Sequence, residues 1–186
     1  MTALIVLGIV VALLLVWFLL TYNRLVSLRV AAEEGESEID VQLKRRHDLI
    51  PNLVETVKGY ASHERGTFEE VTAARTAAVG ASGVAAQAAA EGALSQALGR
   101  LFAVAEAYPD LKANQNFLQL QGELTATEDR LQAARRFYNT TVKALNTACV
   151  TIPSRFVAPI ANVTEREFFE LEDRAESAVP QVSFES

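Results

Sequence analysis

The side chains that could do chemistry in this chain are few, and their spacing does not combine them. His47 and His63 are the only histidines and lie sixteen positions apart, so they share neither a helical turn nor a metal-ligand spacing. His63-Glu64 opens like H-E-x-x-H, in which two histidines one turn apart hold zinc and the glutamate is general base, but the fifth residue is Thr67. No G-x-x-x-x-G-K-S/T, G-x-G-x-x-G or G-x-S-x-G occurs, so phosphate cradles and nucleophile elbows are excluded. Cys149 is the only cysteine, which rules out an intramolecular disulfide. With no basic neighbour in sequence to activate it, it reads as a structural thiol near a helix end. Asn139 and Asn162 each begin an N-x-S/T triplet, but the first falls within a helical pattern and a cytoplasmic domain would not meet the glycosylation machinery. The expectation is a non-enzyme, with no catalytic residue, no cofactor, no metal and no evident small-molecule substrate.

What stands out instead is charge on a packing stripe. Into and along Asp40–Glu64, Ile39, Leu43, Ile50, Leu53, Val57 and Tyr60 step by three and four, and Arg46 takes the one stripe position that is not apolar. Glu64 continues that seam, while Glu123 and Glu128 flank the stripe of a later helix. An ion removed from water needs a partner. Arg46 is therefore expected to pair with Glu128 first or Glu123 second, or else to snorkel to the surface along the bundle edge. Pro51 interrupts the stripe without changing its phase. Because proline lacks an N–H and crowds the carbonyl four residues back, the reading is either a kinked continuous helix or two helices meeting at Pro51. Arg46, Pro51, Glu64, Glu123 and Glu128 are thus structural or interaction candidates.

The elements that must position these residues are helical. Alanine is abundant and proline scarce among the 186 residues. A net charge of −6 argues against a nucleic-acid partner, whose surface would call for a basic face; the one dense basic run is Lys44-Arg45-Arg46. Residues 3–20 are unbroken apolar sequence, about 27 Å as a helix and enough to cross a bilayer core, with Trp17 and Tyr22 at one interface. No basic residue precedes the run and no A-x-A site follows it, which favours a retained span over a cleaved signal peptide. Arg24 and Arg29 follow the span closely, so the positive-inside rule places the amino terminus outside and the remaining chain in the cytoplasm.

After the span, residues 22–39 read as an outward continuation of the same helix, a stiff stalk. The corners expected after it are Gly80–Gly83 and Tyr108-Pro109-Asp110, with Asp110 as the next N-cap. From Leu111 to Ala148 the three-four step persists through Phe117, Leu124, Leu131, Tyr138 and Leu145. Short corners between long helices predict an all-α, antiparallel up-and-down bundle. The organisation expected is an anchor over 1–21, the helical bundle over 22–150, and a carboxy-terminal part over 151–186. That last part reads as an apolar segment around Phe156, Val157, Pro159 and Ile160 tucked on the bundle, then a capping box at Thr164–Glu167 opening a short acidic helix, then a disordered tail from Ser177.

An amino-terminal span followed by YN-x-LV (Tyr22–Val26), D-x-QLKRRHDLIPNLVETVKGYASHE (Asp40–Glu64), YPDLKANQNF (Tyr108–Phe117), LQGELTATEDRLQAARRFYNTTV (Leu120–Val142) and a late IPS (Ile152–Ser154) resembles the LemA family of bacterial membrane proteins. The resemblance implies a four-helix bundle with helices near Val30–Leu49, Asn52–Val79, Val84–Tyr108 and Leu111–Ala148, and so two helices meeting at Pro51. The alanine-rich third helix and the acidic tail after Val163 depart from the family pattern. One function class follows: a membrane-anchored scaffold at the inner, cytoplasmic membrane, acting on other proteins or on itself as a homo-oligomer, and organising that membrane. The family includes a protein required for magnetosome membrane formation. The alternative class is an accessory or adaptor subunit of a membrane enzyme such as an integral-membrane zinc protease.

Overall fold

The structure, a computed structural model, describes residues 1–169. Among them every regular element is helical: α1 Thr2–Lys58, α2 Arg65–Gly80, α3 Val84–Glu106, α4 Pro109–Lys112 and α5 Gln115–Val150, followed by a 3-10 turn at Ser154–Phe156. The chain divides into two compact units.

The first unit comprises residues 1–53 and 118–168. Its core is the antiparallel pairing of α1 and α5, with Leu25, Ala32, Ile39, Leu43 and Ile50 buried on one helix and Leu131, Tyr138, Val142, Leu145 and Ala148 on the other. Both sets recur at helical spacing, which is why burial falls on one face of each. Gly35 sits where the helices come closest. A Cβ there would stand 3.1 Å from Phe137 Cδ1 and 3.2 Å from Tyr138 Cα, so only hydrogen fits without displacement.

Helix α1 runs through Pro51 without a break. The two-helix junction implied there by resemblance is therefore not at the proline. A proline inside a helix costs about 3 kcal/mol, yet Ile50, Leu53, Val54 and Val57 are all buried, and each such burial returns about 1.5 to 3 kcal/mol. Pro51 itself lies on the exposed face. The chain turns instead at Gly59–Glu64, where Tyr60 and Ala61 amides both donate to the Val57 carbonyl. Tyr60 is consequently exposed, not a member of the buried stripe.

The second unit comprises residues 54–117, with Phe169. Helices α2 and α3 form a hairpin across the Ala81–Gly83 corner, where Gly83 adopts a φ of +87° that favours glycine. Phe68, Val71 and Ala78 are buried on α2, and Leu94, Leu98, Leu101 and Ala105 on α3. The alanine-rich start of α3 is largely exposed, and nothing lies within 4 Å of where a Cβ would stand at Gly92 or Gly99, so these glycines mark no close helix approach. Pro109 opens the single-turn α4 at its first position. Helix α5 then starts at Gln115, not Leu111, and its cap is Asn114: the Phe117 amide donates to Asn114 Oδ1 at 3.0 Å, and Asn114 Nδ2 donates to Tyr60 Oη at 2.9 Å.

Beyond α5 the chain makes a compact turn and returns along the first unit. Val157, Ala158, Ala161 and Val163 face inward and are buried, whereas Phe156 and Ile160, expected to tuck with Val157, are exposed. The capping box expected at Thr164–Glu167 does not open a helix, since residues 163–169 are irregular. The rest of the expected acidic helix and the tail lie outside the described residues.

Candidate functional site

Two features of the first unit bear on function: an apolar helix end that no other described residue covers, and a set of polar groups at the helix pair. An eighteen-residue stretch of α1 near the amino terminus has a mean hydropathy of 3.2 and none of it is buried. Side chains of one long helix change from exposed and apolar to packed at Leu25, a single turn after Tyr22. Residues 22–39 therefore form no free stalk, because α5 already covers one side of them.

The polar candidates fall as follows. Arg46 is buried on α1, and its Nη2 stands 3.6 Å from Glu128 Oε2 on α5. Of the two carboxylates weighed from sequence, Glu128 is the one within ion-pair distance. Glu123, one turn earlier, accepts from Gln119 Nε2 at 3.1 Å. Pro51 is exposed, as described. Glu64 lies outside the helices as the residue preceding α2, where its side chain makes no capping bond. His47 is buried in α1 and His63 is exposed in the corner after it. Among the described residues, no three of the His, Cys, Asp and Glu side chains group as a metal site.

Sequence reasoning missed two clusters. Arg166 reaches from the returning segment to α1, its Nη1 3.0 Å from Glu36 Oε2 and its Nη2 3.0 Å from Glu33 Oε1. Its backbone is gripped at the same time by the Asn146 amide of α5, which donates to the Arg166 carbonyl at 2.8 Å and accepts from its N–H at 2.9 Å. Tyr138 Oη adds a bond to the Glu167 carbonyl at 3.0 Å. Burial, with the Glu36 carboxylate next in weight, pushes the Tyr138 phenol pKa up against the opposing pull of Arg166. Burial also raises the Cys149 thiol, aided by Glu165, which keeps it protonated and a poor nucleophile at neutral pH.

The second missed group is Glu91 in the other unit, fully buried on α3 and accepting from Gln87 Nε2 at 3.1 Å while Gln87 also donates to the Ala78 carbonyl. Its position was readable, since 91, 94, 98 and 101 share one helical stripe. On the surface of that hairpin, Arg100 pairs with Glu70 through both carboxylate oxygens, Nε lying 2.9 Å from Oε2.

An uncovered apolar helix long enough to cross a bilayer, continuing directly into a helical pair locked by polar clasps, defines a membrane-associated all-α protein. The chain belongs to the LemA family, whose profile matches residues 35–184. It is similar to Magnetosome protein MamQ 2 of Paramagnetospirillum magneticum, 26% identical over 178 residues, covering 82% of this chain and 65% of that protein. It is also similar to Magnetosome protein MamQ of Magnetospirillum gryphiswaldense, 27% identical over 177 residues, covering 81% of this chain and 65% of the relative. The chain thus spans about two thirds of the length of these relatives, just under that fraction.

Proposed function

We propose that this protein is a non-enzymatic, single-pass scaffold of the cytoplasmic membrane, with its amino terminus outside and its helical part in the cytoplasm. It presents that part to other proteins or to further copies of itself and so helps organise the membrane. The observation that supports this reading is the continuity of α1: one helix is apolar and largely exposed over residues 3–20 and packed from Leu25 onward. An anchor joined rigidly to a folded part suits positioning and not turnover. The cationic flank, Arg24 and Arg29, supports the orientation. The similarity to proteins named for magnetosomes supports the membrane-organising role.

Two measurements test it together. Protease added to spheroplasts should leave the helical part intact until the membrane is permeabilised, and detergent-solubilised protein should run as large homogeneous assemblies. Cleavage from outside would overturn the orientation. A pure monomer that co-purifies with a membrane protease would replace the scaffold by an accessory subunit.

A further inference from the structure

We infer that the turn after α5, residues 150–160, is a second membrane contact: it dips into the lipid interface beside the transmembrane span. The inference rests on residues 3–20 spanning the bilayer, and its test separates the two.

The pairing register of the first unit carries the argument. Gly35 of α1 meets Phe137 and Tyr138 of α5, and Arg46 meets Glu128, so eleven residues forward on one helix match ten backward on the other. Packing persists toward the membrane-proximal end, with Leu25 buried on α1 and Leu145 and Ala148 buried on α5. Thirteen residues back from Gly35 is Tyr22, and thirteen forward from Tyr138 is Thr151, so the register sets the end of α5 level with the end of the span. The chain there doubles back, because Asn146 already grips Arg166 on the return path. Residues 150–160 are therefore the tip of the unit that points at the bilayer.

That tip is two-faced. Val157 and Ala158 point inward and are buried, while Ile152, Phe156 and Ile160 point outward at 75%, 68% and 63% exposure. Three large apolar side chains are exposed this far within nine residues, at the end where the same unit enters lipid, and soluble surfaces do not normally leave such groups of side chains uncovered. Arg155 lies among them, exposed, as a cation for headgroup phosphates. Aromatic and aliphatic side chains with a flanking arginine are the composition of segments that lie in the headgroup and acyl boundary. The occupant of this patch is the bilayer holding the span.

Trp17 is the only tryptophan, which makes the test direct. The full-length protein is reconstituted into vesicles of phosphatidylcholine and phosphatidylglycerol carrying bromine either near the headgroup or near the acyl-chain end. Wild-type protein reports the span through Trp17. A Trp17→Phe/Phe156→Trp variant reports the turn, and Trp17→Phe/Val41→Trp reports an exposed α1 position nineteen residues beyond Tyr22. The expected result is about twofold or greater quenching at position 156 by the shallow bromines, with blue-shifted emission, and none at position 41. Unquenched, water-like emission at 156 with Trp17 quenched overturns the turn contact alone. Blue-shifted but unquenched emission that is lost when lipid is added in excess means a second copy covers the patch, and also overturns it. Equal quenching at 156 and 41 overturns the placement at the tip, and an unquenched Trp17 overturns the span with everything built on it.

Discussion

Replacing Gly35 by alanine measures how closely α1 and α5 approach. In an open helix interior the change stabilises by about 1 kcal/mol, because alanine loses less backbone entropy on folding. At Gly35 the new methyl would stand 3.1 Å from Phe137 Cδ1, 3.2 Å from Tyr138 Cα and 3.3 Å from Tyr138 Cβ. The phenylalanine ring can move, but the Tyr138 backbone belongs to α5 and yields only if the whole helix shifts. Overpacking of that kind costs about 1 to 3 kcal/mol. The net expectation is a loss of up to about 2 kcal/mol for Gly35→Ala, whereas Gly122→Ala, with nothing within 4 Å, gains about 1 kcal/mol. At about 2 to 4 °C per kcal/mol for a chain of this size, the two variants separate by several degrees in melting temperature, followed by circular dichroism of the full-length protein in detergent. Adding Phe137→Ala should restore only part of the loss. If Gly35→Ala stabilised as much as Gly122→Ala, the close approach and the register drawn from it would be wrong.

The other expectations concern the polar clasps. Glu128→Gln removes the carboxylate charge 3.6 Å from Arg46, which is 5% exposed, and should lower stability by about 1 to 2 kcal/mol, moderated because Glu128 is 33% exposed. The Arg46→Met/Glu128→Leu double variant should recover most of that, and a cycle coupling near zero would show that the pair contributes nothing. Asn146→Ala removes both bonds to the Arg166 backbone, so limited proteolysis should cut within residues 163–168 faster than in wild type, while far-ultraviolet dichroism stays unchanged. The folded pKa of Tyr138 is raised above its ordinary 10.0, so the stabilisation is fully present below pH 10 and lost as pH rises beyond it. The alkaline fall in melting temperature should therefore be shallower in Tyr138→Phe, and identical slopes would contradict the buried phenol.

Periodicity makes much of this fold legible in the sequence. The stripe through Ile39, Leu43, Arg46, Ile50, Leu53 and Val57 is buried as its spacing requires, because a three-four step leaves one face of a helix no alternative. The same step misled at Tyr60 and Glu64, which keep phase in sequence although the chain has already left the helix. The stop was available in Lys58 followed by Gly59, a basic last turn and then a poor helix former. Pro51 fails to break the helix for the opposite reason: a local penalty of about 3 kcal/mol loses to the buried side chains on either side of it. Glu91 was hidden by the alanines around it, though it shares a stripe with Leu94 and Leu98. The grip of Asn146, 20 positions away, and of Glu33 and Glu36, 133 and 130 positions away, on Arg166 had no signal at all, because contacts between separate segments leave no period in one sequence. Irregular segments are silent in the same way, and apolarity alone did not separate Val157, which is inside, from Phe156, which is outside.

The continuity of α1 also makes the height of the carboxy-terminal turn a mechanical consequence of helix length. Between Leu20, the last residue of the apolar run, and Leu25, the first buried one, lie only four residues, about 6 Å of helix. Inserting one further polar helical turn there lifts the packed pair by about 5.4 Å without altering a single contact inside it. Lipid cannot take up the slack, since burying the inserted polar side chains in the bilayer core would cost several kcal/mol. Trp17 should then remain quenched by brominated lipid in the lengthened protein, while a reporter at position 156 loses most of its quenching. Retained quenching at 156 would mean that the turn reaches lipid by bending away from its helices and that the register does not set its depth.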